Sequence, residues 1–199
     1  MPNEPFCTPP HPLTREKFVN LFVTQLHSRG AQQPWVFASR KAKPSAIVSQ
    51  PDAVVVVAVG ENDGEPYVVL TREFRAPLGS FELSVPSGLV DAGESVVDAA
   101  TREFYEETGL ALTQIVHVSP PLASSAGLTD ETVALVYGRA KGSVSKQHQT
   151  EHEDIEVFLA NIADVRAILS SSKPDTISSR LYPILLGFVS ADRISLPRV

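Results

Sequence analysis

A mixed β-sheet flanked by helices, an α/β or α+β sandwich in one domain, is the fold class this sequence predicts. Three observations carry it. Residues 53–59, AVVVVAV, form an unbroken valine-rich run, the pattern of a strand covered on both faces. Asn62, Asp63 and Gly64 follow as a turn signal, and residues 67–72 return as the partner strand of a hairpin. Residues 95–108 contain neither Pro nor Gly and place Val96, Ala100 and Phe104 at every fourth position, which predicts an amphipathic helix stopped by Gly109.

The remaining elements follow in order. Residues 1–12 carry five prolines and are expected to form a disordered tail. Phe18, Leu21, Phe22 and Leu26 stand at helical spacing and predict a helix over residues 14–27. Residues 35–39, WVFAS, read as a short strand, with a basic cluster of Arg40, Lys41 and Lys43 behind it. A strand is expected over residues 80–85, and others over 115–118, 132–137 and 155–160. Residues 120–129 and 141–150 read as loops. Two helices close the chain, over residues 162–170 and 177–189, the second interrupted by Pro183. No repeat and no internal linker breaks residues 13–199, so one domain is expected, with its core in residues 51–190.

Composition excludes several classes. The 199 residues suffice for one domain with a sizeable core. A net charge of −6 argues against nonspecific binding to nucleic acid or to an anionic membrane. One cysteine, Cys7, excludes an internal disulfide framework, and its proline-rich surroundings argue against structural zinc. The chain shows no signal-peptide pattern and no apolar run of membrane-spanning length, so a cytoplasmic location is expected.

Chemistry concentrates in residues 88–110, GLVDAGESVVDAATREFYEETGL. On the expected helix Glu103, Glu106 and Glu107 stand at i, i+3 and i+4 and project from one face. Like charges at that spacing repel by about 0.2–0.5 kcal/mol per exposed pair. Such a face is either solvated surface or a holder for a hard cation such as Mg2+, which prefers carboxylate oxygen. The fixed positions Gly88, Glu94, Arg102, Glu103, Glu106, Glu107 and Gly109 fit G-x5-E-x7-R-E-U-x-E-E-x-G-U, with Phe104 and Leu110 apolar at U. This stretch resembles the Nudix box, the signature of Mg2+-dependent hydrolases of nucleoside diphosphates linked to another group.

The resemblance implies a Nudix sandwich, a central mixed sheet between helices with the box as loop-helix-loop. It implies Glu103 and Glu107 as metal ligands, with Glu106 on the same face a catalytic candidate, and Mg2+ (Mn2+ possible in its place) as cofactor. It implies an ion pair between Glu94 and Arg102 that braces the loop against the helix. Gly88 is expected to allow a tight turn near metal or phosphate.

Outside the box, residues 72–95 are similar to the lead-in of the ADP-ribose pyrophosphatase branch. By that likeness Arg75 grips the diphosphate and the Ser87 carbonyl joins the metal shell. Ser84 stands where the branch commonly has Glu, and Glu82 is the candidate substitute. The loop SSAGLTDE, residues 124–131, resembles the branch's S-P-G-x-S/T-D-E loop and offers Glu131 to substrate, but Ala126 replaces the proline that marks ADP-ribose specificity. EHEDIEV, residues 151–157, resembles the late acidic loop that supplies a catalytic carboxylate, here Glu153 or Glu151, with Glu153 also a candidate ligand. His152 between them reads as an exposed histidine. Trp35 lies in a segment similar to the strand whose tryptophan stacks on adenine, commonly across a dimer interface. Residues 13–50 are accordingly expected to form a dimerisation segment and the protein a homodimer. The implied activity is hydrolysis of ADP-ribose to AMP and ribose 5-phosphate, or of a related nucleoside diphosphate sugar. The alternatives are another nucleotide such as a nucleoside triphosphate, and a noncatalytic nucleotide-sensing module.

Overall fold

Alternation, not a helical repeat, governs residues 20–39. The computed structural model describes residues 4–44, 50–150, 154–172 and 175–197. The chain divides into two units, Met1–Asp52 with Pro121–Val133, and Ala53–Pro120 with Ala134–Val199. In the first unit β1 (Phe6–Cys7) and β2 (His11–Pro12) each pair with β3 (Asn20–Ser28), which also pairs along its length with β4 (Ala31–Ser39). Two expectations are corrected here. Residues 6–7 and 11–12 are not disordered tail: proline is tolerated in such short outer strands, where no ladder donor is needed. The expected helix over 14–27 is instead the strand β3, because Phe22 and Thr24 alternate into the buried face. Arg29 and Gly30, with φ of 51° and 77°, form the two-residue turn that closes the β3–β4 hairpin.

In the second unit β5 (Ala53–Asn62) and β6 (Glu65–Arg75) form the expected hairpin, turned by Asp63 and Gly64 at φ 49° and 84°. β7 (Ser80–Ser84) pairs antiparallel with β6, and β8 (Ser87–Leu89) pairs with β5. α1 (Val96–Thr108) and β9 (Ala111–Val118) follow. β10 (Leu122–Ala123) lies in the first unit and pairs with residues 132–133 at the start of β11 (Thr132–Lys141). Further along, β11 pairs with β9. β12 (Glu156–Ala160) joins the other side of β6, then come α2 (Ile162–Ser170), β13 (Thr176–Ile177) and α3 (Leu181–Ala191). β13 runs parallel to β7 while β6 pairs antiparallel with β5, β7 and β12, so the sheet is mixed and the α/β class holds.

The core of this unit explains the position of α1. Ala99, Ala100 and Phe104 pack on Val54, Val56 and Ala58 of β5, with Tyr67, Val69 and Val136 beside them. Small residues on the helix allow a close approach, and full burial of Phe104 contributes about 1.5–3 kcal/mol. Pro183 does not interrupt a helix: it is the third residue of α3, where its missing N–H would have had no helical partner.

Candidate active site

The local sequence of α1 fixes its two ends. Ser95 caps the first turn, its Oγ accepting from the Asp98 N–H at 3.1 Å. Gly109 ends the helix with φ 74° and donates its N–H to the Tyr105 carbonyl at 2.8 Å. A Cβ at Gly109 would also lie 2.7 Å from the backbone nitrogen of Ser145, so both conformation and space require glycine.

Between those ends the acidic residues do not share one environment. Glu107 is buried, and its Oε2 accepts the Ser87 N–H at 3.2 Å. Glu103 folds its carboxylate onto Gly88: a Cβ there would lie 2.0–2.4 Å from the carboxylate atoms. Gly88 therefore does not serve a tight turn. It lies in β8 opposite Val54, and its missing side chain is the space that Glu103 occupies. Glu106 turns to Arg102, accepting from Nη1 at 3.2 Å. Glu103 and Glu107 thus lie at the Ser87–Gly88 segment, while Glu103 and Glu106 share the arginine.

Arg102 organises the face. Its Nε and Nη2 bind Glu94 in bidentate fashion at 2.9 and 2.8 Å. Nη1 also meets Glu103 at 2.8 Å, and Nη2 donates to the Leu89 carbonyl at 3.1 Å. The guanidinium, followed by the Asp91 N–H at 3.0 Å, pulls the Glu94 carboxyl down from 4.5 to about 2. The same pairing with Glu94 pushes the Arg102 pKa up. This cation offsets the repulsion that three neighbouring glutamates would otherwise feel.

Among the described residues no group of three or more His, Cys, Asp or Glu is gathered for a metal. Two carboxylates at one backbone edge nonetheless fit a hard divalent cation, which is commonly held by one or two carboxylates together with substrate phosphates. The pocket left by Gly88 and the backbone anchor on Glu107 hold the two donors in place.

Arg75, at the end of β6, pairs with Glu73 at 2.7 Å and Glu82 at 3.0 Å. Glu82, the candidate substitute for the missing glutamate at Ser84, is thus engaged by Arg75. Glu151 and Glu153 lie outside the described residues. In the first unit, Glu131 pairs with Arg40 at 3.4 Å. Trp35 is 41% exposed and donates its indole N–H to the Gly127 carbonyl at 3.3 Å. It lines a groove of about 630 Å³ with Phe37, Pro9, Ala126 and Thr129. Sequence reasoning missed Gln149, whose carboxamide donates to the Glu107 carbonyl at 2.8 Å. Its partners are backbone atoms, so no side-chain pattern marks it.

Similarity to known proteins bears on the family and the fold. The NUDIX domain family matches residues 49–178. An ADP-ribose pyrophosphatase of Saccharomyces cerevisiae is 31% identical over 131 residues, covering 64% of this chain and 55% of that protein. An ADP-ribose pyrophosphatase of Bacillus subtilis is 26% identical over 160 residues, covering 80% and 82%. The crystal structure of an ADP compounds hydrolase superposes with a TM-score of 0.67 over 96% of this chain and 97% of that one, at 18% identity, a likeness of fold.

Proposed function

The chain belongs to the Nudix family of pyrophosphohydrolases, and on that footing we propose that it hydrolyses the diphosphate of ADP-ribose, or of a related nucleoside diphosphate sugar, with Mg2+. One observation carries the reaction: Glu103 seated on Gly88 and Glu107 anchored by the Ser87 N–H, two carboxylates at one backbone edge. The names of the yeast and Bacillus relatives support the substrate.

In this reading Glu103, Glu107 and the Ser87 carbonyl would hold the cation, with Glu153 a further ligand. When bound, a divalent cation supplies Lewis acidity, offsetting diphosphate charge and acidifying water. Arg75, oriented by Glu73 and Glu82, grips the diphosphate. Glu151 or Glu153 accepts the proton of the attacking water. Water adds to one phosphorus, the bridging P–O bond breaks, and its electrons leave with the bridging oxygen. The products are AMP and ribose 5-phosphate. Glu94 and Arg102 brace the loop and touch no reacting atom.

The groove at Trp35 supports a nucleobase platform, since base–aromatic stacking is worth about 1–3 kcal/mol. Exposed Phe18, Leu21, Trp35 and Val36 of the first unit support a homodimer through this unit. Ala126, which lines the same groove, favours a second reading in which another nucleotide is the substrate. A panel of ADP-ribose, sugar nucleotides and nucleoside triphosphates with Mg2+ tests both. Highest kcat/KM on ADP-ribose is expected; preference for a triphosphate would overturn the substrate, and turnover of none would overturn the reaction.

A further inference from the structure

Gln149 sits half-buried in the loop after β11 and makes three hydrogen bonds with one carboxamide. Its Nε2 donates to the Glu107 carbonyl at 2.8 Å and to the Ile155 carbonyl at 2.9 Å. Its Oε1 accepts the Ile155 N–H at 3.2 Å. The side chain thereby imitates a strand residue against Ile155, which is buried immediately before β12. The other bond matters more. Glu107 lies in the last turn of α1, where the final four carbonyls have no partner within the helix. The loop supplies partners from outside: Gln149 Nε2 for Glu107, and the Ser145 N–H for Thr108 at 2.9 Å. Gly109 leaves room for Ser145 to approach.

We propose that Gln149 is a positioning residue for the reaction site, locking the turn that carries Glu107 to buried Ile155, just ahead of β12. The proposal rests on the reading of Glu107 as a metal ligand. The side chain of Glu107 is aimed by the Ser87 N–H, while its backbone is held from behind by Gln149. Loss of either leaves the carboxylate free to shift by the fraction of an ångström that metal coordination does not tolerate. The same clamp fixes residues 149 and 155, the two ends of the segment containing Glu151 and Glu153.

The experiment compares the full-length protein with Gln149→Ala and Gln149→Glu. The glutamate variant keeps the size and the acceptor for the Ile155 N–H but loses both donated bonds. Mn2+ binding, read by water-proton relaxation, is measured alongside kcat and KM for ADP-ribose. Supporting partners of metal ligands alter affinity or activity by about 10–100-fold. Both variants are therefore expected to bind Mn2+ about tenfold or more weaker and to lose kcat by a similar factor, with KM changed less. Gln147→Ala, a neighbour in the same loop, should match the parent in both. Parent-like Mn2+ affinity and kcat in Gln149→Ala, even with a lowered melting temperature, would reduce Gln149 to a structural clamp and overturn the proposal. If that variant does not fold, Gln149→Glu decides by the same two measurements. A parent that turns over no nucleotide would refute the proposed reaction, and the Mn2+ arm would still decide the role of Gln149. A parent that binds no Mn2+ would overturn both.

Discussion

Replacing Gly88 with alanine separates the site's chemistry from the fold's stability. The new Cβ would lie 2.0 Å from Cδ of Glu103 and 2.1 and 2.4 Å from its oxygens, whereas ordinary contact begins near 3.4 Å. The carboxylate must therefore retreat by roughly 1.4 Å, and it can, because it is the far end of a flexible side chain, though the move disturbs its 2.8 Å contact with Arg102 Nη1. The backbone has no reason to fail: Gly88 is not among the residues with positive φ. Removing a glycine also lowers unfolded-state entropy, worth about 0.4–1 kcal/mol in favour of the fold. Stability should change by no more than about 1 kcal/mol, or roughly 2–4 °C in melting temperature for a chain of this size. Metal coordination tolerates far less displacement, so a loss of about 10–100-fold in activity is expected. That corresponds to about 1.4–2.7 kcal/mol of transition-state stabilisation. Thermal melting together with kcat as a function of Mg2+ concentration makes the comparison. Parent-like turnover at parent-like Mg2+ would show that Glu103 need not occupy the Gly88 pocket. Unfolding would show that the pocket serves the backbone instead.

Three further outcomes are expected. Glu107→Gln, which keeps an oxygen for the Ser87 N–H, should fold normally yet lose most metal-dependent turnover; near-parent rates in Mg2+ would contradict the ligand assignment. Glu94→Gln should lower the melting temperature more than it lowers kcat, since it leaves Arg102 without its bidentate partner. The folded carboxyl is depressed to about 2 from 4.5, so its contribution is fully present above pH 4.5 and is lost as pH falls toward 2. Melting curves of parent and variant should accordingly converge across that window, and a constant gap down to pH 2 would argue against the ion pair as the cause. Light scattering of the intact protein should report a homodimer; a fully active monomer would remove the dimeric reading and leave Trp35 an ordinary wall of its groove.

The legible parts of the sequence were those where one pattern fits one structure. Val96, Ala100 and Phe104 between Ser95 and Gly109 admit a helix with both ends capped and little else. The valine run of β5 and the turn at Asp63–Gly64 are equally unambiguous. Phe18, Leu21, Phe22 and Leu26 fit a helix by spacing, but Phe22, Thr24 and Leu26 fit a strand as well. The hairpin partner β4 decides, through the Arg29–Gly30 turn. Proline content suggested disorder at residues 1–12, but at residues 6–7 and 11–12 β3 supplies the pairing partner that composition cannot reveal. In the site, the Glu94–Arg102 pair was readable through the resemblance alone, and the structure holds it at 2.8–2.9 Å. The use of Gly88 as a receptacle for Glu103 was not readable, because it depends on β8 lying beneath α1. Glu82 beside Arg75 required the register of β6 against β7.

The most direct test follows ADP-ribose by phosphorus NMR with the intact protein, first with Mg2+ and then after excess EDTA. With the cation, the two diphosphate resonances should give way to two phosphomonoester resonances, those of AMP and ribose 5-phosphate, and EDTA should stop the conversion. An unchanged diphosphate in Mg2+, or cleavage that continues undiminished in EDTA, would contradict a metal-dependent diphosphate hydrolysis built on Glu103 and Glu107.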